Sequence, residues 1–142
     1  MQDLEPILKS QVVALCEMAV EMQDEERFHA ANRELTKVLE LLPEPKSDWK
    51  AYSWLVANMA DNHVEQKEYT EAYALLVEVF ELGAEADQNP FLLMRRGQCA
   101  LELEKQDEAV EYLVKAFELG TKEVFEDEHS KYLKLVKQQN QA

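Results

Sequence analysis

The chain has 142 residues, with 29 acidic against 15 basic, a formal net charge of −14 and a pI near 4.6. That charge would set carboxylates against phosphates, which argues against nucleic acid or an anionic membrane surface as a partner. With only three glycines and four prolines, the chain has no GxGxxG run and no Walker A lysine to cradle a phosphate.

The length predicts one domain, able to bury roughly two-thirds of its unfolded surface without metal or disulfide staples. Leu, Ala and Glu supply 56 residues, whereas Val, Ile and Thr supply 16, so helix formers far outnumber β-branched residues. Asp3, Glu5 and Glu17 stand where a signal peptide would need basic and then apolar residues. No apolar run is long enough for a transmembrane helix. Cys16 and Cys99 are isolated in helical patterns and are expected to be reduced thiols. The expectation is a cytoplasmic chain.

In chain order, helices are predicted over about 5–24 and 27–42, then a break at Pro43-Glu44-Pro45-Lys46-Ser47. A third helix, capped by Ser47 or Asp48, is predicted over 48–66 and a fourth over 69–82. Gly83 to Asn89 forms the second boundary. The fifth helix runs over 90–104, with Asn89 as its cap and Pro90 in its first turn, where a missing N–H costs nothing. Gly97 lies inside that helix and predicts a close crossing, since glycine there otherwise costs about 1 kcal/mol. The sixth helix, 107–119, should end on Gly120 in a left-handed cap. A seventh is expected over about 125–138, with Tyr132, Leu133 and Val136 turned inward and Lys131, Lys134 and Lys137 outward.

The fourth and sixth helices are copies of one another. Residues 71–83 (EAYALLVEVFELG) and 108–120 (EAVEYLVKAFELG) are identical at eight of thirteen positions, with a period of 37. A weaker copy runs from Ala31 to Pro43, its alanine 41 residues before Ala72. Each copy reads as the second helix of a helical hairpin.

With that period and these small residues, the chain resembles the tetratricopeptide repeat family. Repeats fall at about 12–45, 53–86 and 90–123, with Ala19, Ala60 and Gly97 at the small position of each first helix. Ala31, Ala72 and Ala109 open the matching second helices. The resemblance implies an all-α helical-repeat solenoid of three helix-turn-helix hairpins with a capping helix near 125–138. Departures from the family pattern are Leu15, Val56 and Leu93 at its tryptophan position and Val79 at a small position.

No catalytic constellation is present in the sequence. His29, His63 and His129 are isolated, with no partner at metal-ligand spacing. His63 is expected to be a partly buried packing residue. No serine stands in a nucleophile elbow. The chain is therefore expected to be no enzyme and to need no cofactor or metal.

Binding to another protein is the expected function. The resemblance implies that the first helix of each repeat lines a concave groove. Those positions are Val13, Cys16, Glu17 and Val20, then Trp54, Ala57, Asn58 and Asp61, then Phe91, Met94, Arg95 and Gln98. Trp54 and Phe91 are the candidate anchors, because aromatic residues and arginine dominate interface hot spots; packing of either against a neighbouring repeat is the alternative. Family members that clamp a C-terminal carboxylate use five polar positions. Only Asn58 and Arg95 match here, against Cys16, Val20 and Phe91, so no such clamp is implied.

Acidic stretches suggest a basic partner. Residues 10–26 carry five acids and no base, and six acids with no base lie between Lys67 and Arg95. Charge of this kind steers a cationic protein, although a solvated helical surface accounts for it equally. One reading is stoichiometric masking of that partner, as immunity proteins and secretion chaperones do; the tail from Lys122 to Leu133 also resembles small bacterial proteins of toxin–immunity loci. The other is a general adaptor holding a peptide segment in the groove. Oligomeric state is open at this point.

Overall fold

A computed structural model describes residues 5–49, 51–81, 83 and 85–140. Among them are seven α-helices and no β-strand: α1 (Pro6–Asp24), α2 (Phe28–Leu41), α3 (Ala51–Glu65), α4 (Tyr69–Glu81), α5 (Pro90–Glu102), α6 (Gln106–Gly120) and α7 (Ser130–Asn140). No helix among the described residues is long and apolar enough to cross a membrane. The chain packs as two compact units, Met1–Leu75 and Leu76–Ala142, with the boundary inside α4.

Three hairpin turns share one backbone design. After α1, α3 and α5, the chain passes through Glu26, Lys67 and Glu104, each in the left-handed region with φ near 60°. In each turn the following N–H reaches back to a helix carbonyl five residues earlier: Arg27 to Met22, Glu68 to His63 and Lys105 to Ala100, all at 2.8 Å. This closes the helix C-terminus by satisfying carbonyls that would otherwise lack partners. The left-handed residues are spaced by 41 and 37, the periods of the sequence repeat. Counted from each of them, the same positions are buried: Ala19, Ala60 and Gly97 seven before; Ala31, Ala72 and Ala109 five after; Leu35, Leu76 and Leu113 nine after.

In the first unit α2 packs on both α1 and α3. Its core gathers Val12 and Ala19 of α1, Leu35 and Val38 of α2, and Leu55 and Met59 of α3. The link after α2 is folded rather than loose. Lys46 Nζ donates to the carbonyls of Leu39 (2.6 Å) and Leu42 (2.8 Å), capping α2, and Trp49 Nε1 donates to the Pro43 carbonyl (2.6 Å). Lys46–Asp48 forms a 3-10 turn. The predicted start of the third helix at 48 is thereby corrected to Ala51, and Ser47 and Asp48 belong to the preceding turn.

In the second unit Asn89 caps α5 as predicted, its Oδ1 accepting from the N–H groups of Phe91 (3.0 Å) and Leu92 (3.2 Å). Gly97 marks the expected close crossing: a Cβ there would lie 2.6 Å from Leu113 Cγ. The predicted end of the fourth helix at 82 lies outside the described residues, and Gly83 does adopt a positive φ of 73°. Gly120 does not. It is the last residue of α6, and Thr121 takes the positive φ. Gly120 is small for another reason, since a Cβ would collide with Val124 and come within 2.7 Å of Pro90.

The seventh helix begins at Ser130 rather than 125. Lys122–Phe125 is a 3-10 turn that buries Val124 and Phe125, and His129 Nδ1 then accepts from the Lys131 N–H at 3.0 Å. Tyr132 and Val136 are buried as expected. Lys131 pairs with Glu102, which also accepts from the Tyr132 hydroxyl at 2.9 Å. Burial opposes ionisation of Glu102, but the bonds from Lys131 and Tyr132 and the nearby positive charge outweigh it and hold its carboxyl below the usual range.

Candidate protein-binding groove

α1 is apolar on more of its circumference than its core contacts use. Val12 and Ala19 face the core, whereas Val13, Met18 and Val20 remain exposed. Val13 and Val20 form a stripe with the half-buried Cys16, with spacings of three and four that place it on one helix face. Such a stripe ordinarily marks a surface that packs on something.

The other wall comes from the first turn of α3. Ala51 and Trp54 join Val12, Val13, Cys16, Glu17, Val20 and Glu21 around an open groove of about 790 Å³. Trp54 is 42% exposed and Val13 45%. Burial in the groove wall pushes the Cys16 thiol up from its ordinary value, which keeps it protonated and apolar in character. The structure thus brings the four positions expected from the first repeat together with Trp54.

A polar relay fixes the two walls. Gln23 Nε2, at the end of α1, donates to Asn62 Oδ1 of α3 at 2.8 Å; Asn62 donates to Asn32 Oδ1 of α2 at 2.7 Å; Asn32 donates to the Met59 carbonyl at 3.3 Å. Gln23 also donates to Asn58 Oδ1 at 3.3 Å, and Asn58 to the Trp54 carbonyl at 2.9 Å. Asn62 and Asn32 are buried, where a missing partner would be costly. Asn58 is therefore a half-buried bridge between α1 and the turn carrying Trp54. In the sequence this relay shows only as a polar residue inside each helix pattern, at Asn32 and Asn62.

The remaining predicted groove residues divide. Asp61 is half-buried on α3. Phe91 is 63% exposed at the start of α5. Met94 and Gln98 depart from the expectation of exposed positions, being 2% and 4% exposed. Arg95 is engaged within its own unit. Its Nη1 donates to Gln98 Oε1 at 2.7 Å and Glu128 Oε1 at 2.8 Å, and its side chain is 14% exposed. The reason is the 3-10 turn after α6, which brings Glu128 over α5.

A second polar cluster joins three segments of the first unit. Glu68 Oε1 accepts from His29 Nε2 at 2.9 Å and His63 Nδ1 at 3.1 Å. The bonds from His29, then His63, hold the Glu68 carboxyl below its ordinary value. His63 is mostly buried, as expected of a packing residue. Among the described residues no group of three His, Cys, Asp or Glu has the geometry to hold a metal ion.

No protein-family model matches this sequence, and no curated protein does.

Proposed function

We propose that this chain is a non-enzymatic recognition module that binds a segment of a partner protein in the α1–α3 groove and masks it. The observation that carries this reading is the exposed Val13, Val20 and Trp54 around one groove whose walls are tied by Gln23, Asn58 and Asn62. Fixed walls lower the ordering cost of binding. Glu17 and Glu21 stand on the rim, and with the overall charge of −14 they favour a basic partner, as the immunity-protein and secretion-chaperone types of masking require. The repeated turn and the shared buried register support a tetratricopeptide-like origin of the hairpins. Two cysteines outside any disulfide fit a reducing cytoplasm.

Site-specific photocrosslinking tests the reading. A photoreactive side chain at Val13 or Val20 should capture one protein in native lysate, and the same group at Leu119 or Glu104 should not. Equal capture at all four positions, or capture only at the control positions, would contradict it.

A further inference from the structure

We infer that the occupant of the α1–α3 groove is an amphipathic helix whose apolar stripe is flanked by lysine or arginine. This rests on the groove being a partner-binding site and adds the partner's chemistry.

The lining favours a helix. Val13, Cys16 and Val20 follow the spacing of a coiled-coil seam, one heptad long, on a helix whose Val12 and Ala19 serve the core. From Val13 to Val20 the seam spans about 10 Å, two helical turns. It can receive the i, i+3, i+7 anchors of a second helix, with Trp54 closing the far side. An extended peptide would need main-chain partners along its length. Helices satisfy their own backbone groups internally, and no strand edge exists among the described residues. A helical occupant needs no main-chain partner from the groove walls, which offer no strand edge.

Charge fixes the flank. Glu17 and Asp24 lie one heptad apart immediately beside the seam, with Glu21 between them in sequence, and all three are exposed. Charges beside a seam choose partners by complementarity and by repulsion. An acidic helix would meet like charge, whereas a basic one would be steered in.

The test uses the full chain and synthetic peptides of about three heptads: one with leucine on the seam and lysine beside it, one with glutamate replacing lysine, one of the same composition scrambled, and one broken by a central proline. Labelled-peptide anisotropy should show the basic helix binding at least about tenfold more tightly than the other three. Raised salt should weaken it. Val13→Asp should abolish the binding while leaving circular dichroism unchanged, and Glu17→Lys combined with Asp24→Lys should move the preference toward the acidic peptide. Equal binding of the proline-broken peptide would give an extended occupant and overturn the inference. So would equal binding of the scrambled or acidic peptide, binding insensitive to Val13→Asp, or a dimer of this chain lost on Val13→Asp. If the basic helix fails while a photocaptured partner still requires Trp54, the groove remains a binding site and only the helical class falls.

Discussion

Asn62 of α3 donates a 2.7 Å hydrogen bond to Asn32 of α2, and both side chains are buried. Asn62 also accepts from Gln23 of α1, so one side chain sets the spacing of three helices. Removing it leaves the buried Asn32 Oδ1 and the half-buried Gln23 Nε2 without this partner. Asn62→Ala should lower stability by about 2 kcal/mol, seen as a lower denaturant midpoint. Because Gln23 would lose one of its two holds on α3, the variant should also bind more weakly in the groove. A stability equal to wild type would show that water replaces the relay at no cost.

Gly97 and Leu113 give a prediction whose sign opposes helix propensity. Alanine in a helix interior is ordinarily about 1 kcal/mol better than glycine. Here the added Cβ would lie 2.6 Å from Leu113 Cγ and 3.0 Å from the Leu113 backbone nitrogen. Gly97→Ala should therefore destabilise by about 1–3 kcal/mol, measured by thermal or chemical melting. Stabilisation would mean the crossing has room to open.

The three left-handed turns predict the opposite substitution. Glu26, Lys67 and Glu104 carry side chains at φ near 60°, a conformation that costs a non-glycine residue roughly 1–2 kcal/mol. All three are exposed, so little packing is lost on truncation. Lys67→Gly or Glu104→Gly should each stabilise by about 0.5 kcal/mol, after the greater entropy of unfolded glycine is subtracted. A raised melting temperature for both is the expected result.

Glu68 gives the chain a stability term that depends on acid. Its carboxyl is held below the ordinary value by bonds from His29 and His63. A depressed folded value means the contribution is present above the unfolded carboxyl value, near 4.3, and disappears as pH falls through the folded value. Since this is a largely surface cluster, its size is about 0.5 kcal/mol. Wild type should exceed Glu68→Gln in stability at pH 6, and the difference should vanish near pH 3. A constant difference across that range would contradict the assignment.

The hairpins were legible because small residues recur at fixed spacing. Ala31, Ala72 and Ala109 are all fully buried, and Gly97 lies against Leu113. The turns between helices were less legible. Left-handed closure normally announces itself by glycine, and here Glu26, Lys67 and Glu104 hold the position under tertiary constraint. Gly120 misled in the opposite sense, since its size serves contact with Val124 and Pro90 while Thr121 makes the turn. At the site, Val13, Cys16, Val20 and Trp54 came from the family resemblance as groove positions, and they line one groove. Arg95 was not recognisable as engaged because its partner Glu128 comes from a link predicted as helix. Hydrogen-bonded asparagines leave no periodic mark, which is why the relay through Asn62 was hidden.

A partner held in the α1–α3 groove must lean on Trp54. The dissociation constant of the photocaptured partner for wild type and for Trp54→Ala, both checked for an unchanged melting curve, decides whether it does. Trp54→Ala should weaken binding by at least about tenfold, the scale of a truncated aromatic anchor. An affinity equal to wild type would mean that the partner binds elsewhere.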